Sequence, residues 1–284
     1  MFKKTIVAAF VLVAFNCFAQ SVPWAPKLPF TQAVINYQID GTEKGTQTLY
    51  IKDGGQTTAK HRKTTTKIMG IKNETNTIEV TTADYVVSVN LIDKTGTRQD
   101  NPVKYMIEEY NKLSAEDKQK VMSNAEKTGM NMMAGMNGKV TPKAKKIHGF
   151  DCDLVEVMGT KNYQINGTGI ELLTQSNIMG VKVNVEAKSI DTKAAIPANA
   201  FEVPAGIKLE THPQANEMAK NMAKMTIQGL VSGSANIQIK NGKGAQQPQM
   251  PQMPQDMPQG LGDLQKMMEQ MNVGQEDDSG DDEE

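Results

Sequence analysis

Three histidines, two cysteines and nineteen methionines are the side chains best suited to chemistry, and their spacing limits what they can do. His61, His148 and His212 stand far apart, and none forms a zinc-type pair such as HxxxH. His148 lies four residues before Cys152, on a segment that reads as a turn entering a strand. Such a pair can touch a metal, but the simpler expectation is a turn histidine beside a buried thiol. Asp151 and Asp153 flank Cys152 and work against the thiolate, so the sulfur is expected to serve packing. Met130, Met132, Met133 and Met136 cluster, and Met250, Met253 and Met257 recur at three- and four-residue steps. Soft thioethers hold Cu(I). The same side chains also give adaptable apolar packing, and without interleaved histidine that reading leads. The chain has no GxSxG, no P-loop, and no GxGxxG opening a helix after a strand. No catalytic, cofactor-binding or metal-ligating residue is assigned, and no cofactor is expected.

Mostly strands must position these residues. Ala33-Val34-Ile35-Asn36-Tyr37-Gln38-Ile39 alternates imperfectly, and strands follow over 46–51, 77–82 and 85–92, with turn residues between them. The threonine-rich stretch 57–67 suits an exposed or edge strand. These gaps are too short for crossover helices, which predicts an antiparallel meander. The period then changes. Asn101-Pro102 caps a helix carrying Val103, Met106, Ile107, Tyr110 and Leu113, and Ser114-Ala115-Glu116-Asp117 opens a second, which Gly129 would end. Residues 130–138 read as a methionine- and glycine-rich loop. Strands resume at Val140, clearest over 153–158, 170–174 and 181–190, and Phe201-Glu202-Val203-Pro204-Ala205-Gly206 closes the sheet region. A last helix near 213–228 carries Met218, Met222 and Met225 on one face.

The two ends of the chain differ from this body. Lys3 and Lys4 precede an uninterrupted apolar run of ten residues over 6–15, and Cys17-Phe18-Ala19 offers small residues before a cut between Ala19 and Gln20. The run falls short of the roughly 20 residues that span a bilayer, so 1–19 reads as a signal peptide. Lipid attachment at Cys17 ranks below cleavage, because bulky Phe15 and Asn16 precede it. Residues 20–30 form a proline-bearing lead-in. From 233 to 284 the chain becomes a Gln/Pro/Met tail, expected to be disordered, with seven acids in its last nine residues. Leu264, Met267, Met268 and Met271 form one short amphipathic segment inside it. Lysine and arginine number 31 against 32 aspartate and glutamate, so no global field points to nucleic acid. After the leader no segment is apolar enough to cross a membrane. With Cys17 removed, Cys152 has no disulfide partner, and the body 31–232 must be held by its core alone.

Two stretches carry a resemblance. One is 37–63, with Gly45 before Thr48-Leu49-Tyr50-Ile51-Lys52. The other runs from Ile147-His148-Gly149-Phe150-Asp151-Cys152 through Ala187-Lys188-Ser189-Ile190 to Phe201-Glu202-Val203-Pro204-Ala205-Gly206. Together they resemble an uncharacterised domain-of-unknown-function family of exported bacterial proteins, similar in strand pattern to the LolA/LolB lipoprotein-carrier fold. The resemblance covers 31–210 and rests on strand-and-turn phrases rather than catalytic signatures. It implies an α+β fold built on a curved, mainly antiparallel half-barrel sheet with a few inserted helices. Glu171-Leu172-Leu173 stands where the family places a large aromatic, which bears on the shape of any cavity.

The expectation is a non-enzymatic protein of the periplasm or outer membrane, or a secreted one, holding a lipid or other apolar ligand in a concave sheet. Met218, Met222, Met225, Leu264, Met267, Met268 and Met271 are its candidate ligand or partner contacts. The alternatives are an envelope interaction protein acting through the Met-rich acidic tail, and a methionine-based copper-binding protein.

Overall fold

The computed structural model describes residues 22, 24, 27–68, 70–178 and 180–233. The cleavage pair Ala19 and Gln20, and the tail positions Leu264, Met267, Met268 and Met271, lie outside the described residues. Six strands come first: β1 (Ala33–Gly41), β2 (Glu43–Lys52), β3 (Thr57–Ile68), β4 (Ile71–Thr81), β5 (Tyr85–Asn90) and β6 (Thr95–Asp100). Two helices follow, α1 (Pro102–Asn111) and α2 (Ala115–Gly135). Then come β7 (Lys139–Ile147), β8 (Phe150–Val157), β9 (Thr160–Ile165), β10 (Glu171–Ile178), β11 (Val181–Asp191), β12 (Lys208–Thr211) and α3 (Pro213–Ser232). The strands form one twelve-stranded sheet in the order β12-β6-β5-β4-β3-β2-β1-β11-β10-β9-β8-β7. Every pair is antiparallel except β12 with β6. Two meanders, β1–β6 and β7–β11, are thus joined at the β1–β11 seam.

The sheet changes its buried side part of the way across. On β1, Ala33, Ile35, Tyr37 and Ile39 are buried. The register sets Ile35 opposite Leu49, Leu49 opposite Lys60 and Lys60 opposite Glu79, so the same face is charged by β3 and β4. There Ala59, Ile78 and Val80 bury the other face, with Val87 and Val89 of β5. The first core gathers Ile35, Tyr37 and Ile51 with Leu172, Ala187, Ile165 and Cys152. This cluster runs from β1 through β11, β10 and β9 to β8, and His148 at the β7–β8 turn reaches Ala187 O on β11 at 2.7 Å, so the sheet curves across these strands. The second core lies under Phe201, Val203, Ile207 and Leu209. A fully buried isoleucine such as Ile35 contributes about 1.5–3 kcal/mol.

A third cluster packs the helices on one another, with Val121, Ile227, Leu230 and Tyr110 around Val22. The caps are those the sequence implies. The Val103 amide donates to Asn101 Oδ1 at 3.0 Å, with Pro102 in the first turn, and the Asp117 amide donates to Ser114 Oγ at 3.1 Å. Asp100 ties both α3 and α1 to the sheet: its amide donates to Asn216 Oδ1 of α3 at 3.1 Å, and its carboxylate accepts from the Tyr105 hydroxyl of α1.

Four expectations are corrected. β3 is an interior strand, paired along its length with β2 and β4, so 57–67 is no edge. Its polar face is accommodated because Arg62 donates to both Glu43 oxygens, at 3.2 and 2.6 Å, and to Gln47 Oε1 at 3.0 Å. α2 runs through Gly129 to Gly135, so 130–135 is helix rather than loop; nothing crowds Gly129, and methionine is a good helix former. β6 and β9 were not expected. Residues 201–206, expected to close the sheet region, are not strand, and β12 closes that side of the sheet instead.

Candidate functional site: a groove at one end of the sheet

The lead-in segment, the β2–β3 turn and α1 enclose a groove of about 820 Å³, within the size range of small-molecule sites. Val22, Trp24, Leu28, Phe30, Val103 and Ile107 supply its apolar surface. Asp53, Gln56, Asn101, Asn111 and Lys27 supply the polar groups. Each wall is fixed by a separate piece of local structure. Phe30 stands edge-on to Phe150 at 5.9 Å, which anchors the lead-in to the first core. Trp24 meets Tyr110 of α1 edge-on at 5.5 Å, and its buried indole N–H has no partner among the described residues. The Gly54 amide donates to Thr31 O at 2.8 Å, which holds the β2–β3 turn against the lead-in. Asn101 caps α1 and donates from Nδ2 to Thr82 O at 2.7 Å, which fixes the helix start over the sheet.

A smaller hollow of about 230 Å³ lies on the sheet face between Tyr37, Gln47, Lys60, Glu79 and Thr174. It is polar. Lys60 pairs with Glu79 at 3.0 Å, and the Tyr37 hydroxyl donates to Glu171 O at 2.9 Å. Burial and the Glu171 charge push the Tyr37 hydroxyl well above its usual range, so it stays a neutral donor.

The sequence-picked residues disperse. Met218, Met222 and Met225 stand exposed on α3, outside the stripe Ala223, Ile227 and Leu230 that packs on the other helices. His148 Nε2 is 2.7 Å from Ala187 O and His61 Nε2 is 2.8 Å from Ala200 O, so both rings hold the backbone. Cys152 is fully buried, and burial pushes its thiol up, aided by Asp153 and Asp151. Met130 is exposed near the end of α2. Among the described residues no three His, Cys, Asp or Glu side chains gather as a metal site. None of the groove residues was singled out from sequence as a ligand contact. Trp24 and Phe30 amid prolines, apolar yet outside any periodic element, were the available signal.

No family model matches the chain, and no curated protein matches it. An uncharacterized conserved protein from Thermus thermophilus is similar at 7% identity and a TM-score of 0.38, over 65% of this chain and 92% of that one. PNGF-II is similar at 11% identity and a TM-score of 0.31, over 69% of this chain and 33% of its own. MucB is similar at 10% identity and a TM-score of 0.32, over 66% and 62%. The chain therefore spans about a third of PNGF-II, and alignments this loose say nothing about chemistry.

Proposed function

We propose that this chain is an exported, non-enzymatic binding protein of the bacterial envelope that holds a lipid or other apolar ligand in the groove beside α1. The carrying observation is the groove itself: a largely apolar space of about 820 Å³, lined by Trp24, whose buried indole N–H has no partner among the described residues. An amphiphile suits these walls, with its chain against Leu28, Phe30, Val103 and Ile107 and its head near Lys27 and Asn111. The leader-like first residues and the resemblance to the exported family and its carrier-type sheet support the address and the role.

Titration with a fluorescent long-chain fatty acid tests the reading, with Trp24 as the energy donor. Saturable one-to-one binding, lost in Val103→Asp and Ile107→Asp, is expected. Wild-type protein that leaves the probe unbound defeats it.

A second reading, an interaction protein, draws on the exposed Met218, Met222 and Met225 of α3. It predicts that Met218→Lys with Met222→Lys abolishes partner capture and leaves fatty-acid binding unchanged.

A further inference from the structure

The opposite end of the sheet carries an arrangement that neither the cores nor the groove uses. Five hairpin turns point to that end: β5–β6 is set back, its Leu91 amide donating to Asn76 O, while β3–β4, β1–β2, β10–β11 and β8–β9 stand side by side. Hydrogen bonds hold them level. The Lys67 amide donates to Thr42 O at 3.3 Å, and the Thr42 amide donates to Lys182 O at 2.7 Å. The Lys182 amide donates to Thr42 Oγ1 at 3.1 Å. A Cβ placed on Gly159 would lie 3.8 Å from Ile178, so the β8–β9 turn abuts the β10–β11 hairpin. The first strand residues of β7, Lys139 and Val140, pair beside it with Glu156 and Val155.

This rim has the wrong chemistry for exposed turns. Three of the five turns are Met-Gly in sequence: Met69-Gly70, Met158-Gly159 and Met179-Gly180. Two of them sit in the same tripeptide, Ile68-Met69-Gly70 and Ile178-Met179-Gly180. Two-residue hairpin turns favour Asn-Gly or Asp-Gly. Met158 instead takes a left-handed φ of 47° while 74% exposed, which serves neither the turn nor the core. Ile71 is 65% exposed, Val140 49% and Ile178 46%. Soluble surfaces seldom gather apolar side chains in this way without an occupant.

Lysines stand directly behind these tips: Lys44, Lys67, Lys72, Lys139, Lys161 and Lys182. Lys72 pairs with Glu74 at 2.7 Å and Lys161 with Glu156 at 3.3 Å, while Lys44, Lys67, Lys139 and Lys182 form no ion pair among the described residues. Apolar tips backed by lysines match an anionic bilayer surface. The tips enter the boundary between head groups and acyl chains, and the ammonium groups meet phosphate at the level above.

We propose that this rim is a membrane-docking edge, on which the protein rests against a bilayer carrying anionic head groups. The inference does not depend on the groove, which lies at the other end of β2.

Vesicle co-sedimentation of the purified full chain tests it. Wild-type protein is expected to pellet with phosphatidylcholine vesicles containing phosphatidylglycerol, and more weakly with phosphatidylcholine alone or at high salt. Partitioning should fall roughly tenfold or more in Ile71→Ser/Met158→Ser/Ile178→Ser, whose leader and tail are unchanged. Lys67→Glu/Lys182→Glu should lose the preference for anionic vesicles. Wild-type protein that stays in the supernatant, or a triple variant that pellets as well as wild type, overturns the proposal. Met158→Trp gives a readout independent of partitioning. Its emission should shift to the blue and be quenched by brominated lipid, and an unchanged spectrum counts against docking. Val103→Asp, which tests the groove, should leave vesicle binding intact, so the two readings fail separately.

Discussion

The two ends of the sheet are built from opposite materials. At one end the turns are Asp53-Gly54-Gly55, Thr82-Ala83-Asp84, His148-Gly149 and Asn166-Gly167-Thr168-Gly169, residues that hydrogen-bond their own backbone or tolerate left-handed geometry. At the other end three of the five turns are Met-Gly with isoleucine or valine beside them, and the remaining two, Gly41-Thr42 and Leu91-Ile92-Asp93-Lys94, are of the ordinary kind. Both ends face the same demand, which is to reverse a strand within a few residues. Turn mechanics therefore cannot explain the methionines, whereas the polar end needs nothing beyond turn mechanics. That end also receives the lead-in segment and α1, and its apolar groups are folded inward around the groove.

The largest expected effect separates an isoleucine that holds the sheet from one that tips it. Ile35→Ala should cost about 3 kcal/mol, read as a shift in the denaturant midpoint. Ile71→Ala should cost under about 0.5 kcal/mol. If the two losses are equal, the rim isoleucine is structural and the contrast collapses.

Next comes Asp153, at the polar end. Its carboxylate accepts from the Lys143 amide at 2.8 Å, from Asn166 Nδ2 at 2.7 Å and from the Gly167 amide at 3.3 Å. Burial pushes this carboxyl up, but the three hydrogen bonds outweigh it and hold the group below its usual range. A depressed folded value means that the stabilisation is present above the unfolded pKa of about 4. It is lost as the pH falls through the lower, folded value. Asp153→Asn should destabilise at neutral pH by roughly 1–2 kcal/mol, and should flatten that part of the acid-unfolding curve. An unchanged acid limb would assign the pH dependence elsewhere.

A smaller effect of opposite sign belongs to the rim. Met158→Asn puts a residue that tolerates left-handed geometry at φ 47° and should raise stability by about 0.5 kcal/mol while weakening vesicle binding. A gain in both would detach the methionine from membrane docking. Cys152 gives the least change: thiol labelling should be negligible in the native protein and rapid in denaturant, because the sulfur is buried and its thiolate disfavoured.

Much of the sheet is legible in the chain where one face is apolar. Val181-Lys182-Val183-Asn184-Val185-Glu186-Ala187 alternates and forms β11. β6 and β9 escape because Thr95-Gly96-Thr97-Arg98-Gln99-Asp100 and Thr160-Lys161-Asn162-Tyr163-Gln164-Ile165 hold few apolar residues, and their neighbours supply the pairing. β3 reads as exposed or edge because its threonines, lysines and arginine show no apolar face; its hairpin neighbours β2 and β4 nonetheless pair with it on both sides. The helix caps at Asn101 and Ser114 are local and readable. The groove is not, since Val22, Trp24, residues 27–31 and 53–56, and Val103, Ile107 and Asn111 of α1 converge only after folding. The rim was written twice as Ile-Met-Gly, but that tripeptide does not read as a hairpin turn under the usual Asn-Gly rule.

The β1–β11 seam also sets the order of assembly. The register joins Val34 to Asp191 and Gly41 to Val183, so the first strand made waits for nearly the last before its second edge is covered. Closing so long a loop is a slow, non-local step. Until it is complete, β1 offers an open apolar edge, and a chain cut between the two meanders would leave each half with an unpaired strand prone to join a neighbour's. The seam therefore makes the two meanders a single folding unit, with its most vulnerable intermediate just before closure.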